Sequence, residues 1–162
     1  MKRACIGIFI AGLLSASTLI AAPIHTAAKK GDLAKIQGLV KAKPELVSLK
    51  NPDGETPLHC ACAAGQKAVV EFLLSNGADV RACDGEGMTP LHHAATATEP
   101  AVLSLLLEKG AEIDARDSEG VTPLLVAIAG GELKPVQLLL DAKADAKAVD
   151  KAGLAALHYA AG

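Results

Sequence analysis

The sequence predicts an all-α repeat fold, in which short helix pairs stack on one another and are joined by tight turns. Three similar segments recur with their threonines 33 residues apart, namely DGETPLHCACAAG, EGMTPLHHAATAT and EGVTPLLVAIAGG. Hydrophobic residues make up 51% of the chain, but aromatic residues make up only 2%. Such a core of Leu, Val, Ile and Ala favours closely packed helices over a β-sandwich, whose strands recruit aromatic and β-branched residues.

The N-terminus has the pattern of an export signal. A basic start, MKR, precedes an uncharged apolar run over residues 4–14, and small residues follow it. We expect residues 1–21 to be a signal peptide that is cleaved between Ala21 and Ala22, with cleavage after Ser17 as the alternative. The protein is therefore predicted to be periplasmic or secreted.

The same segment also fits a retained membrane anchor. Residues 4–24 carry no charge, and roughly 20 apolar residues suffice to span a bilayer. In that alternative the protein is a membrane-tethered scaffold, anchored and facing out of the cytoplasm. A membrane contact is expected only if the leader stays uncleaved.

One complete unit, residues 56–88, shows the signals of two short helices. Thr56 can cap the first helix, and Pro57 suits the first helical position because its missing N–H has no partner there. Gly65 and Gly77 can adopt the left-handed conformation that ends each helix. Helices of about ten residues are too short to be stable alone, so the units must stabilise one another by stacking.

The repeated segments resemble the ankyrin-repeat family, whose unit is a β-turn followed by two antiparallel helices. The resemblance is carried by the residues at the helix starts, Thr56, Pro57, His59, Thr89, Pro90, His92, Thr122 and Pro123. It implies an ankyrin solenoid behind the signal helix, in a small exported bacterial protein. The expected units are a divergent repeat 1 at 22–55, repeat 2 at 56–88, repeat 3 at 89–121, repeat 4 at 122–154 and a partial repeat 5 at 155–162.

The first and last units depart from the pattern. In the first, we expect the helix to start at Pro23 and to end at Gly31, and KPE at residues 43–45 replaces Gly-Ala-Asp, so the second turn must be rebuilt. The last unit stops at Gly162 within its first helix. We expect the chain to be a fragment, because an open apolar end invites association.

Four of the five histidines share one repeat position, which suggests a structural role. Each ring is placed to tie its own helix start to a neighbouring turn. Successive units stack roughly one helix diameter, about 10 Å, apart, whereas zinc needs ligands at about 2 Å, so neither a metal nor a cofactor is predicted. His93 is the exception, since its position suits the binding groove. The four are His25, His59, His92 and His158.

After loss of the leader three cysteines remain. Cys60 and Cys62 are two residues apart on one helix and point in different directions, so they cannot form a disulfide with each other. Buried packing is expected for Cys62. Cys83 lies in a turn and should be more exposed, with a disulfide to a partner or a neighbour as the alternative.

The sequence contains no signature of an enzyme. It lacks a Gly-x-Ser-x-Gly elbow, a Gly-x-x-x-x-Gly-Lys loop and a His-Glu-x-x-His helix. The net charge of −2 also argues against a nucleic-acid binder. The turn carboxylates recur because the turns recur, and we expect them to be solvated: Asp53, Glu55, Asp84, Glu86, Asp117, Glu119 and Asp150.

The family resemblance implies that another protein binds at the turn tips and along the exposed side of each first helix. On the first helices these positions are Ala63, Ala64, Thr96, Ala97, Ala129 and Gly130. An acidic rim predicts a partner with basic or apolar projections, unless the acidic tips serve solubility alone. The candidate partner-binding residues are Asp53, Glu55, Glu86, Met88, Glu119, Val121, His93 and Arg116.

Overall fold

A computed structural model describes residues 17–97 and 99–160, with side chains described from Pro23 onward. Within these residues the regular elements are helical, apart from an isolated bridge between Val149 and Ala155. A 3₁₀ helix, Pro44–Ser48, follows the second α-helix. The α-helices are α1 Ser17–Lys30, α2 Leu33–Ala42, α3 Pro57–Ala63, α4 Lys67–Ser75, α5 Pro90–Ala95, α6 Pro100–Glu108, α7 Pro123–Ala129, α8 Leu133–Asp141 and α9 Ala156–Ala160.

The helices form two layers. In the inner layer α1, α3, α5, α7 and α9 each contact the next in that order, and in the outer layer α2, α4, α6 and α8 do the same. Each inner helix from α3 to α7 also packs against the outer helix that follows it in the chain. The predicted all-α stack of helix pairs is therefore confirmed. The residue boundaries of the units stay a prediction, since helix limits do not define where a unit ends.

The start and end of α3 follow from its sequence. Thr56 is the N-cap in an extended conformation, and Pro57 is the first helical residue. At the other end, Gly65 has a φ of +66° and its N–H donates to the carbonyl of Cys62, while the N–H of Gln66 donates to the carbonyl of Ala61. This is the hydrogen-bond pattern that closes a helix at a left-handed residue. The same turn leads directly into α4.

The core lies between consecutive inner helices and reaches the outer layer. Leu58, Leu91 and Leu124 occupy one position in three successive units, and each is at most 1% exposed. Burying each of these side chains stabilises the stack by roughly 2 kcal/mol. Leu157 occupies the same position in α9 and is 79% exposed, because within the described residues α9 packs against α7 on one side only.

The first unit differs from the prediction. The expected helix start at Pro23 is wrong, because α1 already begins at Ser17 and Pro23 lies inside it. The apolar Leu and Ala residues before Pro23 favour helix, and proline removes only one backbone hydrogen bond. The rebuilt second turn is the 3₁₀ helix, whose Leu46 and Val47 are buried against the core.

Most of the predicted leader, residues 1–16, lies outside the described residues. None of the helices within residues 17–97 and 99–160 has the length and apolar character that a membrane span requires.

Candidate interaction surface

Each turn between units is built around one side chain that accepts two backbone N–H groups. In the second of these turns, Oδ1 of Asp84 accepts the N–H groups of Glu86 and Met88, both at 2.9 Å. The same pair of hydrogen bonds, to the residues two and four positions later, recurs every 33 residues. It holds the turns in one shape along the stack. The residues that accept it are Asn51, Asp84, Asp117 and Asp150.

Asp84 is also bonded from the following helix. Nε2 of His93 lies 2.8 Å from Oδ2 of Asp84, and the Asp84 side chain is only 6% exposed. Burial alone would raise the pKa of Asp84, but the hydrogen bonds from His93 and from the turn N–H groups outweigh it, so that pKa lies below its usual value. The expectation that the turn carboxylates are merely solvated is therefore wrong for Asp84, because it is a structural acceptor in its turn.

In the first three units the shared histidine ties the unit to the next turn. In α3 the backbone N–H of Thr56 donates to Nδ1 of His59 at 3.1 Å, so Nε2 carries the proton. That Nε2 donates to the carbonyls of Ala82 (3.1 Å) and Met88 (3.2 Å). Burial lowers the pKa of His59 to about 4, helped by the nearby His93. The ring is thus a neutral structural bridge.

Sister units use the same bridge in different degrees. Nδ1 of His92 accepts the N–H of Thr89, and its Nε2 donates to the carbonyl of Val121. Nε2 of His25 donates to carbonyls at residues 49 and 55, and His158 accepts the N–H of residue 155. Unit four has Leu125 instead, where the Thr122 hydroxyl accepts the Leu125 N–H at 3.4 Å. The bridge to the next turn is therefore missing in that unit.

The tips of neighbouring turns are hydrogen-bonded to each other. The N–H of Gly85 donates to the carbonyl of Asp53 (2.9 Å), and the N–H of Ser118 donates to the carbonyl of Glu86 (2.9 Å). The N–H of Lys151 donates to the carbonyl of Glu119 (2.8 Å) in the same way. The side chains of Asp53, Glu86 and Glu119 are all exposed. We call these three residues the tip row, because the backbone bonds hold them in register.

Two models of known families match the chain. One, described as "Ankyrin repeats (3 copies)", matches residues 24–117, and the other, "Ankyrin repeats (many copies)", matches residues 106–160. The first alone covers more than half of the chain. The chain belongs to the ankyrin-repeat family. Ankyrin repeats generally mediate protein–protein interaction, and the family is typically non-enzymatic.

The ankyrin chain is also similar to parts of larger proteins. It is 35% identical over 60 residues to the NAD-capped RNA hydrolase NUDT12 of Homo sapiens and 34% identical over 62 residues to the probable 26S proteasome regulatory subunit p28 of Saccharomyces cerevisiae. It is 41% identical over 59 residues to the palmitoyltransferase akr1 of Aspergillus oryzae. The matches cover 37%, 38% and 36% of this chain but only 13%, 27% and 8% of those proteins. Because the hydrolase match is a partial one over ankyrin repeats, it carries no activity to this chain.

Several predicted ankyrin partner-binding residues are already engaged inside the stack. Oε2 of Glu55 accepts the side-chain amide of Asn51 at 2.8 Å. Nη1 of Arg116 donates to the carbonyls of Gly120 (3.0 Å) and Val149 (2.6 Å), so its guanidinium links one turn to the next. Two further predicted partner-binding residues, Met88 and Val121, are only half-exposed. Their backbone carbonyls accept the hydrogen bonds of His59 and His92.

His93 lies on the inner helix α5 and contacts both the preceding turn and the neighbouring inner helix α3. Its side chain is 16% exposed, bonds Asp84, and meets the ring of His59 edge to face with 5.3 Å between ring centroids. The equivalent Tyr159 donates from its hydroxyl to Oδ2 of Asp150 at 2.8 Å. The His93 ring is therefore already hydrogen-bonded within its own unit, and only its exposed edge is available to another protein.

The inner-helix positions expected in the groove are not all exposed. Ala63, Thr96 and Ala129 are exposed at the ends of α3, α5 and α7, but Ala97 is only 5% exposed, so its assignment to the groove is wrong. The reason is that α5 ends one residue early, where the Thr96 hydroxyl donates to the carbonyl of His93. Ala97 then turns into the core.

The cysteines of α3 do not form a reactive or metal site. Cys60 and Cys62 are buried free thiols. Burial raises the pKa of Cys60 to about 12, with Glu55 adding to the effect, and burial also raises the pKa of Cys62. Both thiols are therefore protonated and unreactive at neutral pH. Cys83 is half-exposed in its turn, as expected. Among the described residues no group of three or more His, Cys, Asp or Glu side chains is placed to hold a metal ion.

Sequence reasoning missed the pairing of two turn acids, Asp84 and Asp150, with the residue nine positions later. The signal was present: His93 follows Asp84, and Tyr159 follows Asp150, at the same spacing. The pairing was hidden because the partner side chains differ chemically and because one unit has Val126 at that position. Only the turn geometry shows that the two positions meet.

Proposed function

We propose that this chain is an exported ankyrin module that binds another protein in its groove through the tip row of Asp53, Glu86 and Glu119. The observation that carries the proposal is the register of the tip row. Backbone hydrogen bonds connect the three turns, and within the described residues these three carboxylates make no hydrogen bond or ion pair. Three exposed carboxylates are thus carried by three turns whose backbones are bonded to one another.

The tip row favours a basic partner surface. Each of its turns is closed by hydrogen bonds to an Asn or Asp side chain and is bonded to the tip of the next turn. Because the turns are held in this way, little conformational entropy is lost when a partner docks. Charges held on such an edge increase association rates and select partners of opposite charge. The small residues Ala63 and Ala129, at the ends of α3 and α7, are exposed as well, so they leave room for apolar projections of a partner in the groove.

A charge-reversal capture experiment tests this function. The variant Asp53→Lys, Glu86→Lys, Glu119→Lys reverses the tip row but keeps the backbone bonds between tips. The control Glu71→Lys, Glu108→Lys, Asp141→Lys makes the same change of net charge on the exposed ends or faces of α4, α6 and α8. Each protein is immobilised, and proteins retained from an extract of the exported fraction are identified and quantified by mass spectrometry.

We expect wild type and control to retain the same partner in equal amounts. The tip-row variant should bind that partner at least about tenfold more weakly, which corresponds to about 1.4 kcal/mol of binding free energy. Equal retention by the tip-row variant would refute the role of the tip row. If that variant instead precipitates while still binding the partner, the acidic tips serve solubility. Glu55 is left unchanged because its carboxylate belongs to the Asn51 hydrogen bond.

Export is supported by the leader-like N-terminus and by the position of Pro23. Cleavage between Ala21 and Ala22 would make Pro23 the second residue of the mature chain, where a proline is compatible with the start of a helix. The mature protein would then work in the periplasm or outside the cell. Mass spectrometry of the intact protein from its own cells measures this directly: the expected N-terminus is Ala22, and cleavage after Ser17 would leave residue 18 first.

The second candidate function is a membrane-tethered scaffold that keeps the leader as an anchor. It is favoured by the uncharged stretch over residues 4–24. An intact N-terminus that begins at Met1 or Lys2, found in the membrane fraction, would establish it and would exclude the cleaved form. The groove and its partner would be the same in either case.

A further inference from the structure

In two turns of the ankyrin stack, the second carboxylate oxygen of the turn aspartate accepts a hydrogen bond from a side chain of the following helix. In the turn between them it does not. His93 donates to Oδ2 of Asp84, and the Tyr159 hydroxyl donates to Oδ2 of Asp150, both at 2.8 Å and both nine residues later. At the corresponding place after Asp117 stands Val126, which has no polar atom on its side chain.

The second oxygen of Asp117 is therefore open. Its Oδ1 accepts the N–H groups of Glu119 and Val121, both at 2.8 Å. Within residues 17–97 and 99–160, its Oδ2 has neither a hydrogen bond nor an ion pair. Asp117 and Val126 are both partly exposed, so the open oxygen and the valine side chain can be reached from solvent.

Two cations of this turn and the next one, Arg116 and Lys151, do not bond to the carboxylate of Asp117, because they donate to backbone carbonyls instead. The guanidinium of Arg116 donates to the carbonyls of Gly120 and Val149, and Nζ of Lys151 donates to the carbonyl of Ser118. The charge of Asp117 still acts on α9: the pKa of Tyr159 is raised to about 12, mainly by its hydrogen bond to Asp150 and more weakly by Asp117.

We propose that Asp117 and Val126 form a pocket for one basic side chain of the bound partner, an arginine or a lysine. The N–H groups of that side chain would donate to Oδ2 of Asp117 and its methylenes would lie against Val126. A charge-assisted hydrogen bond to a carboxylate is roughly twice as strong as a neutral one. The stems of arginine and lysine cover apolar surface while the charged end is bonded. This inference rests on the proposed function and deepens it, since it adds an anchor point within the same groove.

A titration with a small probe tests the pocket without the natural partner. Capped arginine, N-acetylarginine N-methylamide, is added to ¹⁵N-labelled protein, and capped lysine is used in a parallel arm. The amides of Glu119 and Val121 report on Asp117. The matched reporters are the amides that bond the two paired acids, Glu86 and Met88 for Asp84, and Ala152 and Leu154 for Asp150.

We expect saturable shifts of the Asp117 reporters, about threefold larger than those of the paired turns, because no internal donor has to be displaced at Asp117. Equal shifts at all three turns, or none at Asp117, would overturn the proposal. Saturation by one probe and not the other decides between arginine and lysine.

Substitutions at the pocket supply the decisive comparison. Val126→Tyr should place a hydroxyl that donates to Asp117, as Tyr159 donates to Asp150, and should therefore abolish the shifts. Val126→Phe introduces a side chain of nearly the same size as tyrosine but without the hydroxyl, and it should keep the shifts. Asp117→Asn removes the charge and keeps the turn, since Asn51 accepts the same two N–H groups in its own turn. It should abolish the shifts even if Val126→Tyr fails to fold.

The outcome is distinguishable from the test of the tip row. If the tip-row variant keeps its partner while the probe binds at Asp117, the proposed rim is wrong and the pocket stands. If the tip row is required but wild type and Asp117→Asn respond equally to the probe, the pocket is wrong and the function stands.

Discussion

Nε2 of His59 donates to the carbonyl of Met88, which lies 29 residues later in the next turn. With the bond from the Thr56 N–H to Nδ1, the ring joins the start of one unit to the turn that begins the next. Stability of an ankyrin stack depends on such contacts between neighbours, since each helix pair is too short to fold alone.

His59→Leu should destabilise the protein by about 3 kcal/mol, because the N–H of Thr56 and two turn carbonyls lose a buried partner. The fully buried ring is replaced by the residue that unit four has as Leu125, so the side chain itself suits the position. The control His158→Leu concerns an exposed ring in α9 and should change the stability by at most about 0.5 kcal/mol. Urea unfolding followed by circular dichroism measures both, and equal losses would contradict the bridge.

Stability should fall as the pH drops from about 6.5 to about 4. The folded-state pKa of His59 is lowered to about 4 by burial, and burial also lowers the pKa of His92, whereas an unfolded histidine titrates near 6.5. The unfolded chain thus binds protons in this window and the folded one does not, so the stabilisation is complete above pH 6.5. His59 alone contributes a slope of up to about 1.4 kcal/mol per pH unit, which ends below about pH 4.

The double variant His59→Leu, His92→Leu should flatten that slope. Asp84, whose folded pKa is lowered, loses its contribution only at more acidic pH, so it does not disturb the window. Urea unfolding at half-unit pH steps shows the effect. An undiminished slope in the double variant would assign the pH dependence to other groups.

Gly54→Ala should destabilise the stack far more than Gly110→Ala. Both glycines have a positive φ, +79° and +84°, so alanine is strained at each by roughly 1 kcal/mol. At Gly54 a Cβ would also lie 2.5 Å from the backbone N of Gly85, which is part of the tip-to-tip bond, while at Gly110 nothing lies within 4 Å. The difference between the two unfolding free energies isolates the tip contact. No difference would mean that the turns can separate without cost.

Lys143→Gly should stabilise the protein by about 0.5–1 kcal/mol. Lys143 has a φ of +71° at the position that Gly77 and Gly110 hold in the preceding units. A lysine there is strained, and relief of that strain exceeds the entropy cost of a new glycine in the unfolded chain. Thermal unfolding of the variant, compared with Lys147→Gly in the neighbouring loop, measures the gain. A loss of stability would show that the left-handed turn costs the lysine little.

The period of 33 residues was enough to predict the helix pairs, their glycine ends and the bridging role of His59, because these depend on local spacing. The start of α1 was not predictable from the repeat, since Pro23 marks a helix start in the sister units but lies inside a helix here. The burial of Ala97 accompanies the end of α5 at Ala95, one residue short of the length of α3 and α7, and the burial of Asp84 accompanies its bond to His93 of the following helix. Neither the burial of Ala97 nor that of Asp84 can be predicted from the repeat spacing alone.

Photocrosslinking from the inner layer tests the groove most directly. A benzoylphenylalanine replaces Ala129, the exposed last residue of α7, or Ala142, the exposed residue that follows α8 at its far end. Irradiation of cells that make each variant is followed by detection of covalent adducts. A partner bound in the groove predicts a discrete adduct from position 129 and none from position 142. Equal adducts from both positions, or an adduct from 142 alone, would contradict binding in the groove.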